Sequence, residues 1–334
     1  MRWDPADADA LRGCLEVRQA AHTRDDPLGS PKSAQVLGGW LQRGYGGDPG
    51  EAWYVPGAAG GVIAWYRLSL PDLENQDRAL VHPVVHPDRR RQGIGRELVR
   101  HAAERAAAAG RVVMTGYARE ESPGAAFAAW AGATRGQAEV RRVLDLRKMP
   151  AGQVAALRET AARAAAGYSL VTWTGPPTPD QYLEPLAAVV NAFADAPRDE
   201  GVQEEAWDGR RIRERGDATA ELLGVREYSV TAVHDATGEM AAMTQVAIEP
   251  ETPQWGHQAL TAVTRTHRGH RLGLLVKAAM LEWLATAEPQ IEQIETGNAA
   301  SNKHMIAVNE ALGFEVSPPV FHSYELGVAD ALDR

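Results

Sequence analysis

The chain has 334 residues and a formal net charge of −9, from 35 Lys and Arg residues against 44 Asp and Glu residues. A hydrophobic share of 44% excludes wholesale disorder, and the length predicts about two domains. The acidic balance argues against a nucleic-acid or membrane-binding protein, and the one cysteine, Cys14, excludes an intramolecular disulfide and a thiolate metal cluster. No apolar run approaches the ~20 residues that cross a bilayer, and the N-terminal residues lack a signal-segment pattern. We therefore expect a cytoplasmic protein with a small-molecule partner and no metal, nucleic acid or membrane.

The first half predicts helices followed by a sheet. Hydrophobic periodicity and turn residues indicate a helical region, a strand, and a strand that leads through a glycine-rich turn into an amphipathic helix. Another strand, a short helix and a closing strand follow. In chain order these are residues 4–44, 61–70, 84–102, 112–117, 122–132 and 139–146.

The second half repeats this order. The segment VVHPDRRRQGIGRELVRHA (84–102) aligns with AVTRTHRGHRLGLLVKAAM (262–280), so that Val85 pairs with Val263 and Gly95 with Gly273. A repeat of this length indicates duplication of a whole domain. We predict two α+β domains, residues 1–148 and 168–334, joined by a linker helix at 149–167.

The turn Arg90-Arg91-Gln92-Gly93-Ile94-Gly95 carries the strongest chemical signal. The first N–H groups of a helix have no internal partner, and glycines let a diphosphate approach them closely. A Walker loop would end in Gly-Lys-Ser/Thr, and a dinucleotide-binding turn would follow the first strand of its unit. Neither pattern fits, and three neighbouring arginines in an acidic chain are a weak nucleic-acid signal. The turn therefore predicts a phosphate-binding site.

This segment resembles the acetyl-CoA signature of the GCN5-related N-acetyltransferases, Arg/Gln-x-x-Gly-x-Gly/Ala. The second half, with NAASNKHMIAVNEALGF (298–314), resembles the C-terminal half of actinobacterial tandem members of that superfamily. The resemblance implies two tandem domains, each a twisted, mixed, mainly antiparallel sheet flanked by helices, with acetyl-CoA as co-substrate. It also implies that the fourth strand bulges, near residues 82–85, and that the pantetheine arm lies beside it. The residues it assigns to acetyl-CoA are Val84, Val85, Arg90, Arg91, Gln92, Gly93, Ile94, Gly95 and Arg96 in the first half, and Ala262, Val263, Arg268, Gly269, His270, Arg271, Leu272, Gly273, Asn298 and Asn302 in the second.

The catalytic residues follow less directly from the resemblance. Relatives use a tyrosine of the last helix to reprotonate the thiolate, and Ala128 and Asn309 occupy that position here. A bound water or Tyr324 on the closing strand could take over this role. The candidate bases are His257 and Glu249 in the second half, with His82 as the first-half counterpart of His257, because histidine titrates near neutral pH.

The resemblance also implies an acceptor loop between the first two helices of the second half. Its acidic residues Asp195, Asp199, Glu200 and Glu204 would attract an ammonium group, although a solvated loop explains them equally well. We expect a monomeric or homodimeric N-acetyltransferase that acts on the primary amine of a secondary metabolite, antibiotic or thiol precursor, with acceptor chemistry in the second half. A non-catalytic CoA-binding or sensing protein and an enzyme resembling mycothiol synthase remain alternatives.

Overall fold

The computed structural model describes the whole chain except Lys32, Ala59 and residues 193–197. The chain forms two compact units. Unit 1 comprises Met1–Glu139, Asp199–Gln203 and Pro318–Arg334, and unit 2 comprises Val140–Arg198 and Glu204–Ser317. The C-terminal strand therefore belongs to unit 1, whereas the contiguous domains predicted above placed it in the second half.

The elements of the first half follow the predicted order, with one further strand, β1. They are α1 (Ala8–Asp25), α2 (Ala34–Arg43), β1 (Gly50–Pro56), β2 (Val62–Ser69), β3 (Arg78–Val85), α3 (Ile94–Ala108), β4 (Val113–Arg119), α4 (Pro123–Trp130) and β5 (Thr134–Asp145). The second half contains α5 (Gln153–Ala164), β6 (Tyr168–Gly175), α6 (Leu183–Asn191), α7 (Gly209–Arg211), a π-helical turn (Ile212–Asp217), α8 (Ala218–Leu223), β7 (Arg226–His234), β8 (Met240–Ile248), β9 (Trp255–Val263), α9 (Leu272–Ala287), β10 (Gln293–Ala299), α10 (Lys303–Leu312), β11 (Glu315–Val316), β12 (Phe321–Gly327) and α11 (Val328–Leu332).

Unit 1 is a mixed, mainly antiparallel sheet with the order β1–β2–β3–β4–β12, followed by the first part of β5. The parallel pair is β3–β4. Apolar residues of α3 such as Leu98 and Ala102 cover one face, and residues of α1 and α2 such as Val17 and Leu37 pack on the other. Alternation along β2 directs Tyr66 to the α3 face and Trp65 to the α1 face.

Unit 2 repeats this architecture with the order β10–β9–β8–β7–β6, and the second part of β5 pairs with β11. Helix α9 is apolar on nearly all sides and is buried against one face of the sheet, which is typical of a core helix. Helix α6 packs on the other face. The predicted linker helix corresponds to α5. It is not a free spacer, because Ala161 and Leu157 pack into the same core as α9.

Candidate functional site

Each unit contains two parallel strands that begin side by side and then separate. In unit 1, β3 and β4 stop pairing after Leu80 and Thr115. In unit 2, β9 and β10 stop pairing after His257 and Glu295. Both strands of each pair continue beyond this point, which leaves a V-shaped opening bounded by backbone. We call these openings the unit 1 gap and the unit 2 gap.

The hydrogen-bonding pattern of β3 shows which backbone groups face the unit 1 gap. His86 N donates to Ile63 O at 2.9 Å, so the alternation of an antiparallel ladder turns the backbone of Val84 toward β2 and that of Val85 toward the gap. The Val85 carbonyl accepts a hydrogen bond from Arg90 Nε at 3.3 Å. Of the two valines, Val85 is therefore the one whose N–H faces the gap.

Strand β9 has the same arrangement. Thr264 N donates to Ala241 O at 2.9 Å, which turns Ala262 toward β8 and Val263 toward the unit 2 gap. Arg268 Nε donates to Val263 O at 3.5 Å, the counterpart of the bond from Arg90. The two gaps therefore present equivalent backbone donors, Val85 and Val263.

The expected bulge at residues 82–85 is absent from unit 1. Strand β3 pairs with β2 in an uninterrupted register through this segment. Pro83 is tolerated because the ladder alternation points its nitrogen into the gap, where β4 has already separated. Unit 2 does contain a bulge: Gln258 and Leu260 pair with successive residues of β8, so that Ala259 is an extra residue.

The unit 1 loop has the conformation of an anion site. Arg91 and Gly93 both adopt left-handed conformations, with φ of 63° and 83°, immediately before α3. No side chain caps this helix, and its first turn closes with Glu97 N donating to Gly93 O. The preceding amides of Ile94 to Arg96 lack intrahelical partners and lie at the positive end of the helix dipole. A Cβ added to Gly93 would meet no atom within 4 Å, so the loop is open on this side.

The unit 2 loop adopts the same conformation with the residue types exchanged. Gly269 has φ of 89° and Arg271 has φ of 53°, in the positions of Arg91 and Gly93. Helix α9 again has no side-chain cap, and Leu275 N donates to Arg271 O at 3.0 Å. Arg271 therefore does not change the course of the turn.

Arg90 fixes the unit 1 loop to α1. Its guanidinium forms a two-pronged ion pair with Asp25, at 2.9 Å for Nη1–Oδ1 and 2.6 Å for Nη2–Oδ2. Such pairs orient the guanidinium strongly. Asp25 also lines a cleft of about 390 Å³ in unit 1, together with Asp26, Arg119 and Pro318.

The three asparagines lie at one end of the unit 2 gap, on β10 and α10. Asn302 caps α10 by accepting from Met305 N at 3.3 Å. Asn309 is fully buried and donates through Nδ2 to Asn298 Oδ1 at 2.7 Å. The Asn309 Oδ1 atom has no hydrogen-bond partner among the described residues. An amide has no proton to give at neutral pH, so Asn309 does not replace a tyrosine as general acid.

The structure brings the two predicted bases together and adds a third group. His257 Nε2 lies 3.5 Å from Glu249 Oε1, and His257 Nδ1 lies 3.0 Å from Glu295 Oε1. The side chains of Glu249, Glu295 and His257 are 5%, 18% and 20% exposed. This cluster, which we call the His257 cluster, lies at the point where the unit 2 gap opens. The two carboxylates can hold the His257 imidazole in a fixed orientation, and the imidazole can accept a proton.

Sequence reasoning missed Glu295 and a second carboxylate, Glu227, in β7. Burial raises the pKa of Glu227 to about 7, with a further contribution from Asp217. Glu227 accepts a hydrogen bond from Gln245 Nε2 at 3.1 Å. The available signal was an acidic residue within a segment that has the pattern of a strand. Together with Glu249 and Glu295, Glu227 gives unit 2 several partly or fully buried carboxylates.

His82 is not the structural counterpart of His257. Leu80 occupies that position, because it is the last residue of β3 that pairs with β4, as His257 is the last residue of β9 that pairs with β10. His82 is packed against Trp40 and Trp65. Burial, with neighbouring arginines of which Arg18 is the strongest, lowers the pKa of His82 to about 3. Such an imidazole is a weak proton acceptor at neutral pH.

The remaining candidates are dispersed. Tyr324 lies on β12 in unit 1, opposite Gly116 of β4, and so does not belong to the unit that contains His257. Of the acceptor-loop residues, Asp195 lies outside the described residues. Asp199 and Glu200 belong to unit 1, where Asp199 accepts a hydrogen bond from Gln137 N at 2.8 Å; Glu204 belongs to unit 2 and lies 3.6 Å from Arg198.

Within the described part of the chain, no group of three or more His, Cys, Asp or Glu side chains could hold a metal ion. No described helix is long and apolar enough to span a membrane. The cysteine thiol of Cys14 is buried, which raises its pKa to about 12. Cys14 is therefore inert in this structure.

Known acetyltransferases are similar to this chain in sequence and fold. The family model of the acetyltransferase (GNAT) family matches residues 18–125. A tandem GNAT protein from the clavulanic acid biosynthesis pathway is 32% identical, with 98% of each chain covered and a TM-score of 0.81.

Two more distant structures show the same fold. A GCN5-related N-acetyltransferase from Sphaerobacter thermophilus is 19% identical, with 98% of this chain and 94% of that chain covered and a TM-score of 0.65. A glucosamine N-acetyltransferase region of a fungal multi-domain β-N-acetylglucosaminidase is 12% identical, with 98% of this chain and 37% of that chain covered and a TM-score of 0.64. A search of curated proteins gave no match. The full-length likeness at 32% identity shows that the chain belongs to the GNAT acetyltransferase family, as a tandem protein with two such units.

Proposed function

We propose that the protein is an acyl-CoA-dependent N-acetyltransferase that moves an acetyl group from acetyl-CoA to the primary amine of a small molecule. The observation that carries the proposal is the combination, in each unit, of a strand gap with an uncapped helix behind a loop of two left-handed residues. The similarity to a protein of clavulanic acid biosynthesis favours a secondary metabolite or its precursor as the acceptor.

Acetyl-CoA would be bound mainly by backbone groups. In unit 1 the donors are the first amides of α3, after Gly93, and the N–H of Val85. In unit 2 they are the first amides of α9, after Arg271, and the N–H of Val263. The exposed side chains of Arg91, Gln92, Arg96 and His270 would add contacts to phosphate oxygens.

Acetyl transfer would take place in unit 2. An amine must lose a proton before it attacks the thioester, and a positioned imidazole is suited to accept it. In the tautomer that carries its proton on Nδ1, His257 donates to the Glu295 carboxylate, and Nε2, a buried atom with no hydrogen-bond partner among the described residues, is the basic nitrogen. Glu249, beside Nε2, would hold the ammonium form of the acceptor before the proton is transferred. The buried carboxylates of unit 2 therefore favour a cationic acceptor.

The second candidate is a CoA-binding protein without catalysis. The observation in its favour is that Asn309, which occupies the position of the family's tyrosine, is buried and bonded to Asn298. Because Asn309 cannot give a proton, a catalytic protein would have to reprotonate the CoA thiolate from another group, such as a bound water.

The test measures acetyl-CoA binding and turnover in the same preparation. Isothermal titration gives affinity and stoichiometry, and release of the CoA thiol is followed with aminoglycosides, amino acids, polyamines and cysteinyl-glucosaminyl-inositol as acceptors. Turnover that is lost in Glu295→Gln and retained in Glu292→Gln supports the proposal. Glu292 is a matched control, because it lies next to β10 on an exposed ion pair with Arg147. Tight binding without turnover of any amine supports the second candidate, and absence of binding contradicts both.

A further inference from the structure

Lys277 is a buried charge that the proposed mechanism does not use. It lies in the mainly apolar helix α9 and is 2% exposed, whereas Lys148 and Lys303 are exposed. Its Nζ donates to Gln258 Oε1 at 2.9 Å and lies 4.7 Å from the centre of the Phe314 ring. Burying a lysine is costly, so its presence here calls for a specific contact that an apolar residue would not make.

The contact leads directly to the bulge of β9. Gln258 Nε2 lies 2.6 Å from Gln245 O and 3.2 Å from Leu260 O, the carbonyls of two residues that pair with each other beside the extra residue Ala259. It also lies 2.8 Å from Thr244 Oγ1. A bulge interrupts the ladder, and the Gln258 amide supplies donors to carbonyls at the interruption. Lys277 holds the other end of that amide and thereby fixes which way it faces.

Unit 1 provides an internal comparison. Val81 directly follows the last residue of β3 that pairs with β4, and Gln258 directly follows the last residue of β9 that pairs with β10. On the helices, Val99 is the sixth residue of α3 and Lys277 is the sixth residue of α9. Both valines are buried in one core, and β3 has no bulge. A bulge thus accompanies the Lys–Gln pair, and a regular strand accompanies the Val–Val pair.

We propose that Lys277 is a positioning residue, which acts through Gln258 to hold the β9 bulge and so sets the backbone at the opening of the unit 2 gap for acyl transfer. This inference rests on the proposed function, because the bulge lies directly after His257. Loss of the contact would displace backbone beside the reacting groups and leave the diphosphate loop unchanged. Displacements of about 1 Å near a reaction centre can cost about a hundredfold in rate.

The first measurement requires no acceptor. Hydrogen exchange followed by mass spectrometry compares residues 255–263 with residues 78–85 in wild type, Lys277→Met and Gln258→Glu. The glutamate can still bond Lys277 but has no donor for the two carbonyls. We expect faster exchange at 255–263 in both variants and no change at 78–85. Met280→Leu, equally buried on α9, is the matched control and should match wild type.

The second measurement separates kcat from binding, with an amine identified in the acceptor panel. We expect kcat to fall about tenfold to a hundredfold in Lys277→Met and Gln258→Glu, with acetyl-CoA affinity within about twofold of wild type. The double variant Gln258→Val with Lys277→Val copies the buried pair of unit 1. It takes the place of the single variants in this measurement if they do not fold. Unchanged exchange at 255–263 together with unchanged kcat would overturn the inference. A wild-type protein that turns over no amine contradicts the proposed function, while the exchange data still decide whether Lys277 holds the bulge.

Discussion

Replacing Lys277 by Met should change how stability depends on pH. Burial lowers the pKa of Lys277 from its ordinary value of 10.5 to about 7. Below about pH 7 the lysine is protonated in both the folded and the unfolded chain, so the folded state bears the full cost of the buried charge. Between about pH 7 and 10.5 the unfolded chain binds the proton and the folded chain does not. The free energy of unfolding of wild type therefore rises with pH across this interval.

The size of the effect follows from the same two values. At about 1.36 kcal/mol for each pKa unit, the interval from about 7 to 10.5 corresponds to about 5 kcal/mol. Lys277→Met removes this contribution and adds a pH-independent penalty of about 1–3 kcal/mol, because Gln258 Oε1 loses its donor. Relative to wild type, the free energy of unfolding of the variant should therefore be highest near pH 6–7 and lowest near pH 10.

Urea unfolding followed by circular dichroism from pH 6 to 10 measures the difference between the two proteins. Met280→Leu serves as the control and should run parallel to wild type, because it leaves the lysine in place. Other titrating groups are common to all three proteins and cancel in the comparison. Parallel curves for wild type and Lys277→Met over the whole range would refute the reasoning, since they would mean that the lysine titrates alike in the folded and unfolded chains.

Three further predictions concern the two loops and one helix cap. Gly93→Glu should remove one acetyl-CoA site in calorimetric titration while the fold survives, because a Cβ at this position meets no atom within 4 Å, the left-handed backbone adds a strain of only about 1 kcal/mol, and the carboxylate would lie beside the amides proposed to bind phosphate; an unchanged number of sites would contradict the loop assignment. Arg271→Gly should stabilise the protein by about 1 kcal/mol in urea unfolding, because glycine adopts the left-handed conformation of this position without strain. A destabilised variant would show that the contacts of the arginine side chain outweigh this strain. Asn302→Ala should destabilise it by about 1 kcal/mol in the same assay, because α10 loses its cap; no loss would mean that the cap is not needed.

Local features of this fold could be predicted from the sequence. The turn before α3 is defined by glycines and by the periodicity of the following helix, and its repeat before α9 established the duplication. The order of strands and helices within each half followed from the same local patterns. The exchanged closing strand could not be predicted, since residues 139–146 and 320–326 both have the composition of a strand, and this does not specify a partner strand.

The side chains of the His257 cluster meet for reasons that local patterns do not contain. His257 and Glu295 are 38 residues apart in the chain, and the register of β9 against β10 brings them together. The position of the bulge was predicted wrongly because Pro83 was taken as its marker. A more direct signal existed: β9, from its first residue to Val263, is one residue longer than β3 to Val85.

The two units diverge in their side chains far more than in their backbone. The loops keep two left-handed residues at equivalent positions, although Gly and Arg are exchanged between them, as expected for the proposed anion site, in which amides and not side chains are the donors. At the point where the strands separate, by contrast, His257 and Glu295 of unit 2 correspond to Leu80 and Thr115 of unit 1. Binding of a diphosphate by backbone amides would survive such substitutions, whereas proton transfer needs particular side chains. The pattern therefore favours cofactor binding in both units and acyl transfer in unit 2.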